Sequence, residues 1–190
     1  MATKLELFPD KVGLCIVDVQ EKLAAAMPEK VIKGTLRNCL NLIEAARVFS
    51  LPIVVTEQFS KVMGRSLPVV AEAVLRLPTE QVFFFEKTRF SCAGQKPFDT
   101  WLRKSGRSQW IIAGMETHVA VYQTVRDLAE SLEVHVPRDA VVSRTMANWE
   151  TGLDLVKQCG GVVTSTEAVV FDLIKEAGSD EFALLSKLIK

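Results

Sequence analysis

The sequence predicts a three-layer α/β/α domain on a six-stranded parallel sheet, and three observations predict it. Short apolar segments rich in Val, Ile and Phe recur along the 190 residues, amphipathic segments separate them, and no repeat or low-complexity linker interrupts the alternation. Such alternation makes successive strands parallel, joined by right-handed crossovers, with helices on both faces of the sheet. A chain of this length buries roughly 70% of its unfolded surface as a single unit. Residues 1–190 are therefore expected to form one domain.

The strands are expected at VGLCIVDV (12–19), PIVVTEQ (52–58), VFFFEK (82–87), QWIIAG (109–114), EVHVP (133–137) and GVVTST (161–166). The clearest helical pattern is 29–49, where Val31, Leu36, Cys39, Leu40, Ile43 and Ala46 share a face. Further helices are expected at 66–76, 97–105, 117–131, 148–158, 167–177 and 180–189. The segment FSKVMGRS (59–66) carries Gly and Ser between periodic stretches and is expected to be a mobile loop.

Composition excludes several function classes. Twenty-three basic residues balance 23 acidic ones and no basic cluster stands out, so nucleic acid is not an expected partner. No apolar run approaches the ~18 residues that span a bilayer, and the first residues lack the apolar stretch of a signal peptide, so no membrane partner and a cytoplasmic location are expected. Cys15, Cys39, Cys92 and Cys159 are far apart with no C-x-x-C, which reads as reduced thiols. With only His118 and His135 as imidazoles, no metal site is expected, and no cofactor motif is present.

In open parallel sheets ligands bind beyond the carboxyl ends of the strands. Those ends carry Asp18 and Gln20, then Thr56-Glu57-Gln58, then Glu86-Lys87-Thr88-Arg89, and then the turn Gly114–Ala120. Asp18 ends a buried strand, where a carboxylate needs a partner. Lys87 is the candidate partner. Taken singly, Asp18 also reads as a turn or helix cap, and Lys87 as a solvated lysine leaving its strand. The turn GMETHVA runs into the helical pattern VAVYQTVRDL, so Ala120 sits where amides and helix dipole would favour a thiolate or an oxyanion. Alanine can be neither. His118 reads as a first-turn residue with an ordinary hydrogen bond, and His135 as a strand residue. Cys15 and Cys39 read as core, and Cys92 as a thiol near the rim. Phe59 and Phe90 could line a small-molecule site or pack in the core.

The segments IVDVQEKL, VVTEQF, FEKTRFSC, AGMETHVAVYQTVRDL and VVSR, in this order and spacing, resemble the isochorismatase-like hydrolase superfamily. The resemblance runs from about residue 9 to residue 189, and VTSTEAVVFDLI with the final KLIK is similar to its small isochorismatase-domain proteins. It implies the Rossmann-like α/β/α fold, a small-molecule substrate and a homo-oligomer. For the cysteine hydrolases of this superfamily it implies an aspartate base, a lysine and a nucleophilic cysteine, which fall here on Asp18, Lys87 and Ala120. It also implies a cis peptide before the nucleophile, expected at Val119-Ala120, with the Val119 and Ala120 amides facing an oxyanion. From their places on or near the strand-end rim, Gln20, Phe59, Phe90 and Thr117 are the candidate substrate-binding positions. Nothing after Asp18 matches the metal-binding nicotinamidase branch.

Three classes of function stay open on the sequence. The chain could be a cysteine-hydrolase scaffold without its nucleophile, a nucleophile-independent hydrolase that protonates a vinyl ether through Asp18, or a non-catalytic binding or assembly protein that retains the pocket.

Overall fold

The computed structural model describes residues 5–189. Its strands are β1 (Val12–Val17), β2 (Ile53–Gln58), β3 (Val82–Lys87), β4 (Gln109–Met115), β5 (Glu133–Pro137), β6 (Val141–Val142) and β7 (Val162–Thr164). The order across the sheet is β3-β2-β1-β4-β5-β7, with β6 paired to the end of β4, and every strand pairing is parallel. The six expected strands are all present. The seventh, β6, is two residues long, too short to carry a period of its own.

The helices are α1 (Glu21–Ala25), α2 (Glu29–Val48), α3 (Ser60–Met63), α4 (Pro68–Val74), α5 (Lys96–Ser105), α6 (Tyr122–Leu128), α7 (Met146–Gln158), α8 (Thr166–Ile174) and α9 (Asp180–Leu185). A five-residue π-helical turn, Thr117–Val121, precedes α6 and splits the continuous helix expected over 117–131. Thr145 and Ser165 cap α7 and α8 by accepting from the amides of Asn148 and Ala168.

The sheet divides the core into two layers. Along β1, Val12, Leu14 and Ile16 face α2, α4 and α8, whereas Cys15 and Val17 face the side of α5, α6 and α7. Side chains alternate across a strand, so a sheet covered on both faces needs an apolar residue at every position, as β1 has. Burying each such Val, Leu or Ile is worth about 1.5–3 kcal/mol, which fixes the strand registers that position the site.

The face of α2 differs in part from expectation. Cys39, Ile43 and Ala46 are buried as expected, and Thr35, Leu42 and Ala45 join them. Val31 continues the stripe one turn beyond the core and is 50% exposed, in a groove it shares with Val141, Val142 and Met146. The segment 59–66 is tied down. Glu86 accepts from the amide and hydroxyl of Ser60, Glu57 accepts from the amide and hydroxyl of Ser66, and Gln20 donates to the carbonyl of Gly64. Polar side chains on the neighbouring strand ends replace the freedom that the Gly and Ser content suggested.

Candidate active site

Strand register assembles the site. Val17, the last residue of β1, pairs with Thr56 on β2 and Gly114 on β4, and Gln58 pairs with Lys87 across β2 and β3. Asp18 then leaves the sheet with φ 50°, a left-handed conformation that aspartate tolerates better than most residues. Gly114 is required beside it. Its φ is 121°, and an added Cβ would lie 2.0 Å from the Val17 carbonyl oxygen.

Lys87 Nζ donates to Asp18 Oδ2 at 2.6 Å, Gln58 Oε1 at 2.9 Å and the Phe90 carbonyl at 2.8 Å, with the Arg89 carbonyl a longer fourth acceptor at 3.3 Å. Thr56 Oγ1 donates to Asp18 Oδ1 at 2.7 Å, so both carboxyl oxygens are bonded. Both members of the ion pair are buried. Burial is the largest influence on Asp18 and pushes its pKa up; the Lys87 charge and the Lys87 and Thr56 hydrogen bonds oppose it without winning. A carboxyl group raised toward neutrality can exchange a proton with a bound molecule.

A cavity of about 310 Å³ opens beside Asp18, and Lys87 is not among its lining residues. Asp18, Gln58, Phe90, Val119 and Ala120 line it, together with apolar side chains from α1 and α3 and with Glu116 and Arg144. Ala120 is buried in its wall, in the π-helical turn before α6, and is packed in the α5–α7 core layer. The expected juxtaposition of Asp18, Lys87 and position 120 is thus present, and Phe90 lies at the mouth, 53% exposed.

Other expected positions fall elsewhere. Gln20 does not line the cavity. Its side chain donates to the carbonyls of Gln58 and Gly64 and accepts from the Gln58 amide, and it clamps the segment after β2. Phe59 is 46% exposed outside the cavity. Thr117 is fully buried and faces α7, where its backbone lies 2.7 Å from any Cβ added at Gly152; its hydroxyl has no partner among the described residues. The Val119 amide donates to the Glu116 carbonyl, so it is committed within the turn and does not face an oxyanion. The cis peptide is Met115-Glu116, at the start of the turn, and not Val119-Ala120. Glu57 and Glu86 share the strand-end rim but turn toward Ser60, Arg65 and Ser66.

Two charged residues that line the cavity, Glu116 and Arg144, were not singled out as site residues from the sequence. Glu116 Oε2 accepts from both the backbone amide of Arg144 at 3.0 Å and its Nε at 3.1 Å. Arg144 follows β6, and the missed strand is what hid it: a polar residue after a strand end is the same signal that marked Asp18. His118 Nδ1 lies 3.0 Å from Ser143 Oγ, an ordinary structural contact. Cys92 is fully buried behind Thr56, beside Cys15. The hydrogen bond to Cys92 and burial hold the Cys15 thiol well above its usual range. Burial alone would raise Cys92, but the Cys15 hydrogen bond and the Lys87 charge lower it. Among the described residues no cluster of three His, Cys, Asp or Glu is arranged to hold a metal ion.

Fold and site together define an α/β/α hydrolase scaffold with an aspartate–lysine pair at the strand ends. The isochorismatase domain matches residues 12–168, and the chain belongs to that family. It is 34% identical to the secreted isochorismatase effector Isc1 of Phytophthora sojae, over 97% of this chain and 87% of that one. The structure of the MAR1 ribonuclease from Caenorhabditis elegans superposes with a TM-score of 0.88 at 33% identity, covering 97% of this chain and 92% of that one. The octameric YcaC hydrolase of Escherichia coli, whose specificity is unknown, shares the fold with a TM-score of 0.88 at 20% identity, over 99% of this chain and 92% of that one.

Proposed function

We propose that the cavity is a hydrolase site that keeps the proton-transfer pair Asp18 and Lys87 but not the nucleophile, so the chain does not carry out covalent hydrolysis of a small carbonyl or nitrile compound. The observation that carries this reading is the methyl group of Ala120 in the wall of the cavity that Asp18 also lines. In a cysteine hydrolase the thiol would give its proton to the aspartate and attack the substrate carbon. Water would then release the acyl group. Loss of the nucleophile from such a unit costs on the order of 10⁶-fold in rate. The test is to assay Ala120→Cys against a panel of small amides and nitriles. Turnover that appears with the thiol and is absent from the parent chain supports the reading, and a folded variant inert to every substrate and electrophile counts against it.

The raised pKa of Asp18 favours a second reading, in which the protonated carboxyl group acts as an acid on a vinyl ether and water completes the hydrolysis without a covalent step. Turnover of isochorismate by the parent chain, abolished in Asp18→Asn, supports this alternative. The same rate in both proteins excludes it.

Other attributes belong with this reading. The ligand is a small molecule, in keeping with the cavity's size. The nematode relative's name gives ribonuclease activity to that protein, but the balanced charge here argues against an RNA backbone as partner. Free Cys15, Cys39, Cys92 and Cys159 suit a reducing, cytoplasmic compartment, and among the described residues no helix is long and apolar enough to cross a membrane. The exposed Val31 and Met146 beside the groove of α2 and α7 suit a homo-oligomer, which light scattering would read directly.

A further inference from the structure

We propose that the groove between α2 and α7 is a second ligand site, which takes a free amphiphilic anion: one molecule with an apolar body and a single anionic head, of the fatty-acid or aryl-sulfonate type.

The groove holds about 580 Å³, within the roughly 300–1,000 Å³ of small-molecule sites, and it shares no lining residue with the cavity beside Asp18. Its apolar lining comes from Val31 on α2, Val141 and Val142 on β6, and Met146 and Trp149 on α7. Gly34, within α2, also opens onto it, and no heavy atom lies within 4 Å of a Cβ added there. Glycine weakens a helix interior relative to alanine. No neighbour in the chain requires the bare position, so the room it leaves serves whatever enters the groove.

Charge selects the ligand. Most polar side chains of the lining are spent within the protein. Asp139 Oδ1 accepts from the amide and hydroxyl of Thr166, Asn38 donates to the Asp139 carbonyl, and Thr35 donates to the Val31 carbonyl. Thr145 caps α7, and the Ser143 hydroxyl lies against His118 Nδ1. Lys30 and Arg138 are the exceptions, since neither has an ion pair or a side-chain hydrogen bond among the described residues. The Arg138 guanidinium carbon lies 4.8 Å over the Trp149 ring, and Trp149 Nε1 donates to the Arg138 carbonyl at 3.1 Å. The cation therefore rests on a fixed aromatic platform with its N–H edges free to bond an anion. Two unspent cations against one engaged carboxylate leave the groove attractive to a negative charge. The head of the ligand would meet Arg138 and Lys30, and its body would lie along the valines and Met146 over Gly34. Val31 and Met146, 50% and 75% exposed, form the rim and stay free to meet a second copy.

The experiment titrates the parent chain with anilinonaphthalene sulfonate and with phenylnaphthylamine, the same apolar body without the sulfonate, and reads the dye fluorescence. The sulfonate is expected to bind more tightly. Lys30→Gln combined with Arg138→Gln is expected to weaken the sulfonate about tenfold or more and to leave the neutral dye unchanged, because only the charged head loses partners. Gly34→Leu fills the groove without meeting the protein and is expected to weaken both dyes while the fold, followed by circular dichroism, is kept. The proposal is overturned if the double variant binds the sulfonate as the parent does or loses both dyes equally, if Gly34→Leu binds both unchanged, or if the folded parent binds neither. Light scattering during the same titration tests the competing occupant. If the parent self-associates and takes up dye only once Met146→Glu has made it monomeric, a second copy fills the groove and the ligand site falls.

Discussion

Lys87 Nζ lies 2.6 Å from Asp18 Oδ2, and the two side chains are 0% and 2% exposed. Two ions taken out of water together are tolerated only when the rest of their hydrogen-bonding capacity is met, which Thr56, Gln58 and the Phe90 carbonyl do here. The chain spends stability to keep this pair. That makes its disruption measurable.

Lys87→Met leaves the Asp18 carboxylate buried without its counter-ion and is expected to cost about 3–5 kcal/mol in urea denaturation at neutral pH. The double substitution Asp18→Asn with Lys87→Met removes both charges and is expected to recover a large part of that loss. Equal destabilisation of the single and double variants would show that the pair is not coupled.

Asp18 also predicts a pH dependence. Its pKa in the fold lies above the ordinary aspartate value because burial outweighs the pull of Lys87. The fold thus favours the protonated form. Its contribution to stability is complete below the ordinary value and declines as pH rises through the folded one. Thermal melts of the parent chain relative to Asp18→Asn should lose ground with rising pH in that window. A relative stability that rises instead would reverse the assignment.

Gly152 seats the turn that carries position 120. A Cβ there would lie 2.7 Å from the His118 backbone nitrogen and 2.7 Å from the Thr117 carbonyl carbon, and backbone atoms cannot rotate away. Gly152→Ala is expected to destabilise the fold by about 1–3 kcal/mol, as overpacking does. It should also slow labelling of a thiol introduced at position 120. Unchanged stability in chemical denaturation would mean that the turn adjusts freely.

Gln20 makes three hydrogen bonds that hold the segment after β2. Gln20→Ala leaves the Gln58 amide and two carbonyls without partners and is expected to cost about 1–3 kcal/mol for each group left buried. Amide exchange should accelerate across residues 58–66 more than elsewhere. Uniform exchange throughout the chain would contradict the clamp.

The sheet was legible because β1 to β4 carry apolar runs that lead into polar residues, and that same punctuation marked Asp18, Lys87 and the turn with position 120 as strand-end positions. What escaped was set by tertiary contacts. The two residues of β6 are a strand only because β4 lies alongside, so Arg144, though part of the segment VVSR, was given no place in the site. The π-helical turn continues the hydrophobic pattern of α6, and its break is invisible to periodicity. Gln20 and Thr117 sit within a few residues of the site, but their side chains bond or pack away from it, a direction that residue spacing does not encode.

The most direct test of the central claim is iodoacetamide labelling of Ala120→Cys, followed at the peptide containing position 120, with and without Asp18→Asn. The account predicts rapid alkylation of the introduced thiol, slowed at least tenfold when Asp18 can no longer take its proton. A folded variant whose thiol stays unlabelled, or reacts equally fast with asparagine at position 18, would contradict it.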